Sequence, residues 1–243
     1  MFPFVILLLT IFTTACDVKE GSAAEKSNHF PAIRKRVTPS LEAELGKMNL
    51  KVGAPVFIRA FKETKKLELW IESKRGGAFE LFRTYDICAA SGDLGPKQKE
   101  GDRQVPEGFY ATNLGLLNPA SKYHLSFNIG YPNAFDRHHK RTGSLIMIHG
   151  NCVSLGCLAM TDEKIEEIYT LIHAALSKGR TNVPVHIFPF RLTEENLAKI
   201  DEEEVWLPFW KNLKEGYDLF ETNKRPPSAS VDKKSGRYVL KKG

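Results

Sequence analysis

The chain has 243 residues, 42% of them hydrophobic and 26% charged, the make-up of an ordinary globular protein and not of a disordered or collagen-like chain. Its formal net charge of +6 lies entirely in residues 223–243, where seven Lys and Arg face the single Asp232; the remaining body is neutral, which argues against a nucleic-acid groove spread over the fold. No run of 18 apolar residues occurs, so no ordinary spanning helix is expected.

In chain order, residues 1–15 (MFPFVILLLTIFTTA) read as a signal peptide, with a core from Phe2 to Phe12 broken only by Pro3 and Thr10. The stop Thr13-Thr14-Ala15-Cys16 has the form of a bacterial lipobox, making Cys16 a candidate lipid anchor. Cleavage after Ala15 by an ordinary signal peptidase is the alternative. Asp17 after a lipidated Cys16 is the choice that, in enteric-type bacteria, tends to hold a lipoprotein at the inner membrane. Residues 16–48 are expected to form a polar tether, ending in a short helix over 39–48 opened by Pro39 and Ser40.

From residue 54 the texture turns to β. The runs APVFIRAF, KLELWIES and FELFRTYDI are separated by KETK and KRGG turns. In the second run Leu67, Leu69 and Ile71 alternate with Glu68, Trp70 and Glu72, the period of a half-buried strand. Residues 91–108 are Gly- and Lys-rich and read as a long loop. Apolar runs recur at 109–114, 123–129, 144–148 and 183–188. A helix is predicted over 162–177, with Thr161 at its N-cap, Asp162 and Glu163 in its first turn and Gly179 beyond its end. A second helical region covers about 193–222, where the aromatics of WLPFWKNLKEGYDLF are expected to pack back on the body. The tail after Pro227 is expected to be solvated, with Tyr238-Val239-Leu240 able to form a terminal strand.

The chemistry concentrates in Ser144 to Asp162, SLIMIHGNCVSLGCLAMTD. A strand ends at His149-Gly150, and seven residues later comes Cys157, with a helix close behind. A thiol must lose its proton to attack a carbonyl, and an imidazole across a short glycine-bearing loop is the usual base. Gly156 permits a tight turn, and the amides of 155–157 are placed to face a developing oxyanion. Beyond Cys16 the cysteines are Cys88, Cys152 and Cys157, an odd set that leaves at least one free thiol.

This segment resembles the signature of L,D-transpeptidase catalytic domains of the YkuD type. His149 and Gly150 match its His-Gly element, and Ser154, Gly156, Cys157 and Leu158 match its Ser-x-Gly-Cys element. Gly101-Asp102, Pro106-Glu107-Gly108 and Gly130-Tyr131-Pro132-Asn133 are similar to the accompanying sequence. Two departures stand out: Leu155 replaces a second His, and eight positions separate His149 from Cys157 where familiar members have more. The short form is similar to a periplasmic branch that includes an amidase releasing an outer-membrane lipoprotein from peptidoglycan.

The resemblance implies a mainly β fold, a YkuD-type β-sandwich with accessory helices. Its catalytic domain would span 49–191, followed by a helical extension with a basic tail over 192–243. It implies Cys157 as nucleophile, His149 as general base and acid, and an oxyanion site near Gly156 and Cys157. The substrate would be a peptidoglycan stem peptide attacked next to diaminopimelate, with neither metal nor cofactor. Because stem peptides carry carboxylates, Arg103, Arg137 and Lys140 are candidate contacts, and Tyr131 and Asn133 candidate cleft residues. The alternatives are an amidase that frees a wall-linked lipoprotein, and a catalytically silent wall-binding domain. A papain-like protease is set aside because its Cys would precede its His. A Cys88–Cys152 bridge would leave Cys157 free, a Cys152–Cys157 bridge would silence the enzyme, and an unbridged chain is the third arrangement. The expected place is the periplasm, with a membrane contact through Cys16 and weak adhesion through the tail. His138-His139 reads as a solvated pair on a strand, and His173 as a residue at the edge of the helix's apolar face.

Overall fold

The apolar alternation of the strands and the 3.6-residue period of the helices resolve, in the computed structural model, into twelve strands and five α-helices over residues 28–243, the residues it describes. The predicted signal peptide and Cys16 lie outside them. In chain order the elements are α1 (Phe30–Lys47), β1 (Val56–Phe61), β2 (Lys66–Glu72), β3 (Phe79–Asp86), β4 (Ala89–Ala90), β5 (Gly108–Thr112), β6 (Leu117–Asn118) and β7 (Ser126–Asn128). Then follow α2 (Ala134–His138), β8 (Met147–His149), β9 (Leu158–Ala159), α3 (Asp162–Ser177), β10 (Val183–Phe188), α4 (Glu194–Leu197), α5 (Leu207–Asn223), β11 (Ser228–Val231) and β12 (Tyr238–Lys241). Two five-stranded sheets dominate, ordered β3-β2-β1-β10-β5 and β4-β9-β8-β7-β6, beside the β11–β12 hairpin. Ile58, Leu69 and Val185 of the first sheet share one apolar core with Phe127, Ile148 and Leu158 of the second and with Ile165, Ile168 and Ile172 of α3. No helix of the described residues is long and apolar enough to cross a membrane.

Both faces of β2 are buried, which corrects the half-buried reading. Leu67, Leu69 and Ile71 face the shared core, while Glu68 and Trp70 face α5. The polar face closes because its charges find partners there. Arg59, 2% exposed, pairs with Glu68 at 2.8 Å and with Glu221 of α5 at 2.6 Å. Its guanidinium lies 4.9–5.3 Å from the ring centroids of Phe61, Trp70, Tyr217 and Phe220. Arg191 takes the other oxygen of Glu68 at 2.5 Å. Taking charges out of water costs several kcal/mol unless each is paired and hydrogen-bonded, as these are. The aromatics of α5 pack back on the body, as expected: Trp210, Tyr217 and Phe220 are buried.

One terminal expectation is corrected and another is sharpened. The first helix begins at Phe30, not near 39, and Pro39 lies inside it. Phe30, Ile33, Val37, Leu41 and Leu45 recur at helical spacing and bury a stripe, which outweighs the hydrogen bond Pro39 cannot donate. The terminal strand expected at Tyr238-Val239-Leu240 forms as β12 and the lysines after Pro227 are exposed, but the strand pairs with β11 in a hairpin that is seated on the body and not wholly solvated. Tyr238, 3% exposed, stacks on Phe135 with centroids 4.3 Å apart and receives a hydrogen bond from Asn133 Nδ2 at 2.8 Å. His138 and His139 sit at the end of α2 and not on a strand, with His139 Nε2 3.0 Å from Gly236 O.

Candidate active site

Parallel pairing of β8 with β9 builds the site. Ile148 lies opposite Leu158 and His149 opposite Ala159, so the register continued backwards sets Cys157 beside Met147. The Met147 amide donates to Cys157 Sγ at 3.4 Å, and the thiol donates to Leu145 O at 3.8 Å. Ile148 and Leu158 point into the core. Cys157 and His149 therefore stand on the opposite face, offset by two residues along adjacent strands. No hydrogen bond joins them in this structure, the looser arrangement common before substrate is bound.

Each group is held in a defined protonation state. His149 Nδ1 lies 2.6 Å from Gly150 O, a carbonyl that can only accept, so Nδ1 carries the proton and Nε2 presents its lone pair. Burial lowers the imidazole's pKa, and the bond to Gly150 opposes that shift. Burial raises the Cys157 thiol, against the Met147 N–H and the charge of Lys97. The result is a neutral thiol near a neutral imidazole. Tyr123 lies against the His149 ring, centroids 4.7 Å apart.

The loop between the two residues is pinned at several points. A Cβ at Gly150 would lie 2.5 Å from Asp162 Oδ1 and 3.0 Å from Tyr123 O, so only glycine fits there. Asn151 N donates to Asp162 Oδ1 at 2.8 Å. A disulfide joins Cys152 to Cys88, beside β4, and leaves Cys157 as the free thiol. Ser154 Oγ accepts from Cys157 N at 3.0 Å and donates to Cys157 O at 2.5 Å. Gly156, at φ +93°, donates its N–H to Ser91 Oγ at 2.6 Å, and Ser91 in turn donates to Arg103 O at 2.7 Å. The expectation that the Gly156 and Cys157 amides stand open to an oxyanion is thus corrected: serine hydroxyls occupy both. Leu155 is 75% exposed, and its amide has no partner among the described residues.

Cys157 opens into a cavity of about 390 Å³ whose walls include Lys97, Arg103, Leu145, Leu155 and Gly156. Of the cations singled out in the sequence, Arg103 lines it. Arg137 and Lys140 do not: both flank the end of α2, where Arg137 Nη1 donates to Pro132 O. Tyr131 is 4% exposed and belongs to the core, its hydroxyl on Thr142 O at 3.2 Å. Asn133 and Asp136 cap α2 reciprocally, and Asp136 forms a buried pair with Arg141 at 3.0 Å. Sequence reasoning missed Lys97, which is 5% exposed with Nζ 2.5 Å from Asp102 Oδ1. Burial raises Asp102, but Lys97 and the amides of Lys99, Gln104 and Gln98 outweigh it and hold the carboxyl at about 2. Ser91 was missed as well, because its partners are 12 and 65 positions away.

The family model for the L,D-transpeptidase catalytic domain, YkuD, matches residues 55–187, which contain this whole constellation. The chain belongs to the L,D-transpeptidase catalytic domain family. Among curated L,D-transpeptidase relatives, YafK of Escherichia coli (strain K12), whose name assigns it that activity provisionally, is 46% identical over 191 residues, 79% of this chain and 76% of that protein. YafK of Escherichia coli O157:H7 matches to the same extent. Among solved structures, the helical cell shape determining protein Pgp2 of Campylobacter jejuni aligns with a TM-score of 0.44 at 19% identity, over 79% of this chain and 80% of its own. Bd1075 of Bdellovibrio bacteriovorus aligns with a TM-score of 0.39 at 19% identity, over 74% and 77%.

Proposed function

We propose that this protein is an exported L,D-transpeptidase-family enzyme that acts on peptidoglycan stem peptides at diaminopimelate through a thioester on Cys157. The observation that carries this reading is the pairing of one free, cavity-facing thiol with an imidazole whose Nδ1 is tied to Gly150 O. His149 Nε2 takes the Cys157 proton as Sγ attacks the carbonyl of the L-to-D bond. The tetrahedral oxyanion is received near the Leu155–Cys157 turn, where the Leu155 amide is unpartnered among the described residues and Ser91 or Ser154 can yield an amide or donate its own hydroxyl proton. Collapse expels the amine, which takes the proton back from His149 and leaves a thioester. An amine then resolves the thioester in transfer, or water does in hydrolysis. Arg103 on the cavity wall suits a carboxylate of a stem peptide, while Lys97 is held by Asp102 and adds positive potential to the same wall. We read residues 49–191 as the catalytic domain, its two sheets as the layers of a YkuD-type sandwich, and 192–243 as a buttress against them.

The Cys88–Cys152 disulfide supports an oxidising compartment, and with the lipobox at Cys16 we place the protein in the periplasm on a lipid anchor. Incubation with sacculi, some bearing bound lipoprotein, followed by mass analysis of the fragments tests the whole reading. New 3-3 cross-links identify transfer, whereas freed lipoprotein or shortened stems identify hydrolysis. Cys157→Ala is expected to abolish either product while melting at the wild-type temperature. Equal turnover by that variant overturns the mechanism, and inert wild-type protein that still binds sacculi identifies a silent wall-binding domain.

A further inference from the structure

A second charged cavity lies at the far end of the first sheet. β1 and β10 run parallel away from it toward the loop 91–108, where Lys62 bonds Gly95 O at 2.6 Å and Glu107 at 3.0 Å. The cavity measures about 600 Å³ and forms where the β2–β3 turn meets the residues after α3 and those before β1. Lys51, Lys74, Arg75, Lys178 and Arg180 line it, with Glu72 as the one carboxylate among the lining residues.

Glu72 does not balance these charges. It is 4% exposed and fully committed: Oε1 accepts from Gly76 N at 3.0 Å and faces Arg225 at 3.6 Å, while Oε2 takes Arg180 at 3.2 Å. The side chains of Lys51, Lys74 and Arg75 make no ion pair or hydrogen bond among the described residues, and Lys178 Nζ meets only a neutral acceptor, Val52 O, at 3.1 Å. Cations just past a helix C-terminus offset its carbonyl dipole, which accounts for Lys178 and Arg180 but not for the other three. The C-terminal hairpin brings more charge to the same edge. Arg225 donates to Gly77 O at 2.7 Å and to Gly243 O at 3.0 Å, which draws in the strand end carrying Lys241 and Lys242.

We propose that this cavity is a binding site for phosphate groups, presented by the headgroups of an anionic lipid surface or by a soluble phosphate ester. The guanidinium of Arg75, unpaired among the described residues, and the ammonium groups of Lys51, Lys74 and Lys178 on one concave wall are the donor set for a multiply charged tetrahedral oxyanion. Glu72 holds Arg180 and faces Arg225, so its charge is offset by those two arginines and the remaining four lining cations have no carboxylate partner among the described residues. The site is independent of Cys157, and an enzyme held there by its base keeps its thiol cavity directed away from the bound surface.

The test uses the charge-reversal pair Lys74→Glu/Arg75→Glu on the exposed turn, with Lys65→Glu/Lys211→Glu as a charge-matched control elsewhere. Flotation with phosphatidylglycerol/phosphatidylethanolamine vesicles at low salt is expected to show binding at least about tenfold weaker for the first pair than for the control. Pyrophosphate is expected to displace wild-type protein from the vesicles, and chloride at equal ionic strength is not. A pyrophosphate-dependent rise in melting temperature that the first pair abolishes, without vesicle binding, identifies a soluble phosphate ester as the source. Equal vesicle binding by both pairs, a loss confined to sacculi, or no response to either probe overturns the proposal.

Discussion

At the scale of single residues, the resting site stores its proton on sulfur. Burial pushes the Cys157 thiol up and the His149 imidazole down, so no thiolate–imidazolium pair forms before substrate arrives. Alkylation of Cys157 by iodoacetamide should therefore be slow at pH 7 and climb about tenfold per pH unit to beyond the ordinary thiol midpoint of roughly 8.5. Thiolate absorbance near 240 nm at pH 7, absent from Cys157→Ala, would show a pre-formed ion pair and contradict this. Ser91 acts through Gly156 by tying the Cys157 turn to the Arg103 wall. Losing its two hydrogen bonds, at about 1 kcal/mol each, should lower kcat/KM in Ser91→Ala by up to roughly 30-fold, with Ser91→Thr restoring it. A merely structural role would lower melting temperature in both variants and leave kcat unchanged per folded molecule.

Secondary-structure elements differed in how openly the sequence announced them. The three long strands of the first sheet and helix α3 were legible because each carries its own period and its own breaker, Gly179 at φ +95° ending α3. Helix α1 was not, since Pro39 reads as an opening residue until its buried stripe finds α3 to pack on. The outer face of the first sheet was also hidden, because Glu68 reads as solvent-facing until Arg59 and Arg191 arrive from elsewhere. His186 on β10 belongs to that face, 2% exposed between Phe57 and Phe109 with centroids 4.7 and 4.8 Å away. Burial, then Arg59, lowers its pKa to about 3, and its Nδ1 has no partner. Between about 3 and 6.5 the unfolded chain binds a proton there that the folded chain refuses. Stability should be complete above that window and fall as pH drops through it, by about 1.4 kcal/mol per unit. Thermal denaturation of His186→Phe should show a flatter acid limb without loss at pH 7; an unchanged limb would remove His186 as its source.

Over the whole molecule, the cleft is assembled from distant stretches of chain. The loop 91–108 supplies Lys97 and Arg103 and is anchored beneath by Glu107, which accepts from Lys62, from Gly95 N at 2.8 Å and from Trp210 Nε1 at 2.8 Å. Helix α5 thereby fastens a wall of the site from outside the 55–187 family match. The disulfide closes a loop with a sequence separation of 64, a constraint worth about 4 kcal/mol if chain entropy dominates. Reduction, or Cys88→Ala/Cys152→Ala, should lower the melting temperature by many degrees and depress turnover by releasing the 150–157 loop. A reduced protein with unaltered melting and activity would show that the backbone bonds of the loop suffice without it.

The sequence by itself determined the strand and helix periods, the His149–Cys157 motif and the odd cysteine, because these depend on neighbours within a few positions. Tertiary structure alone decided that Arg103 and Lys97 face the thiol while Arg137, Lys140 and Tyr131 do not. It also decided that serine hydroxyls hold the turn amides and that the basic tail folds onto the body. Charge and polarity are local properties of a chain, but the partner that buries or exposes them comes from a distant segment, so only the fold could assign them.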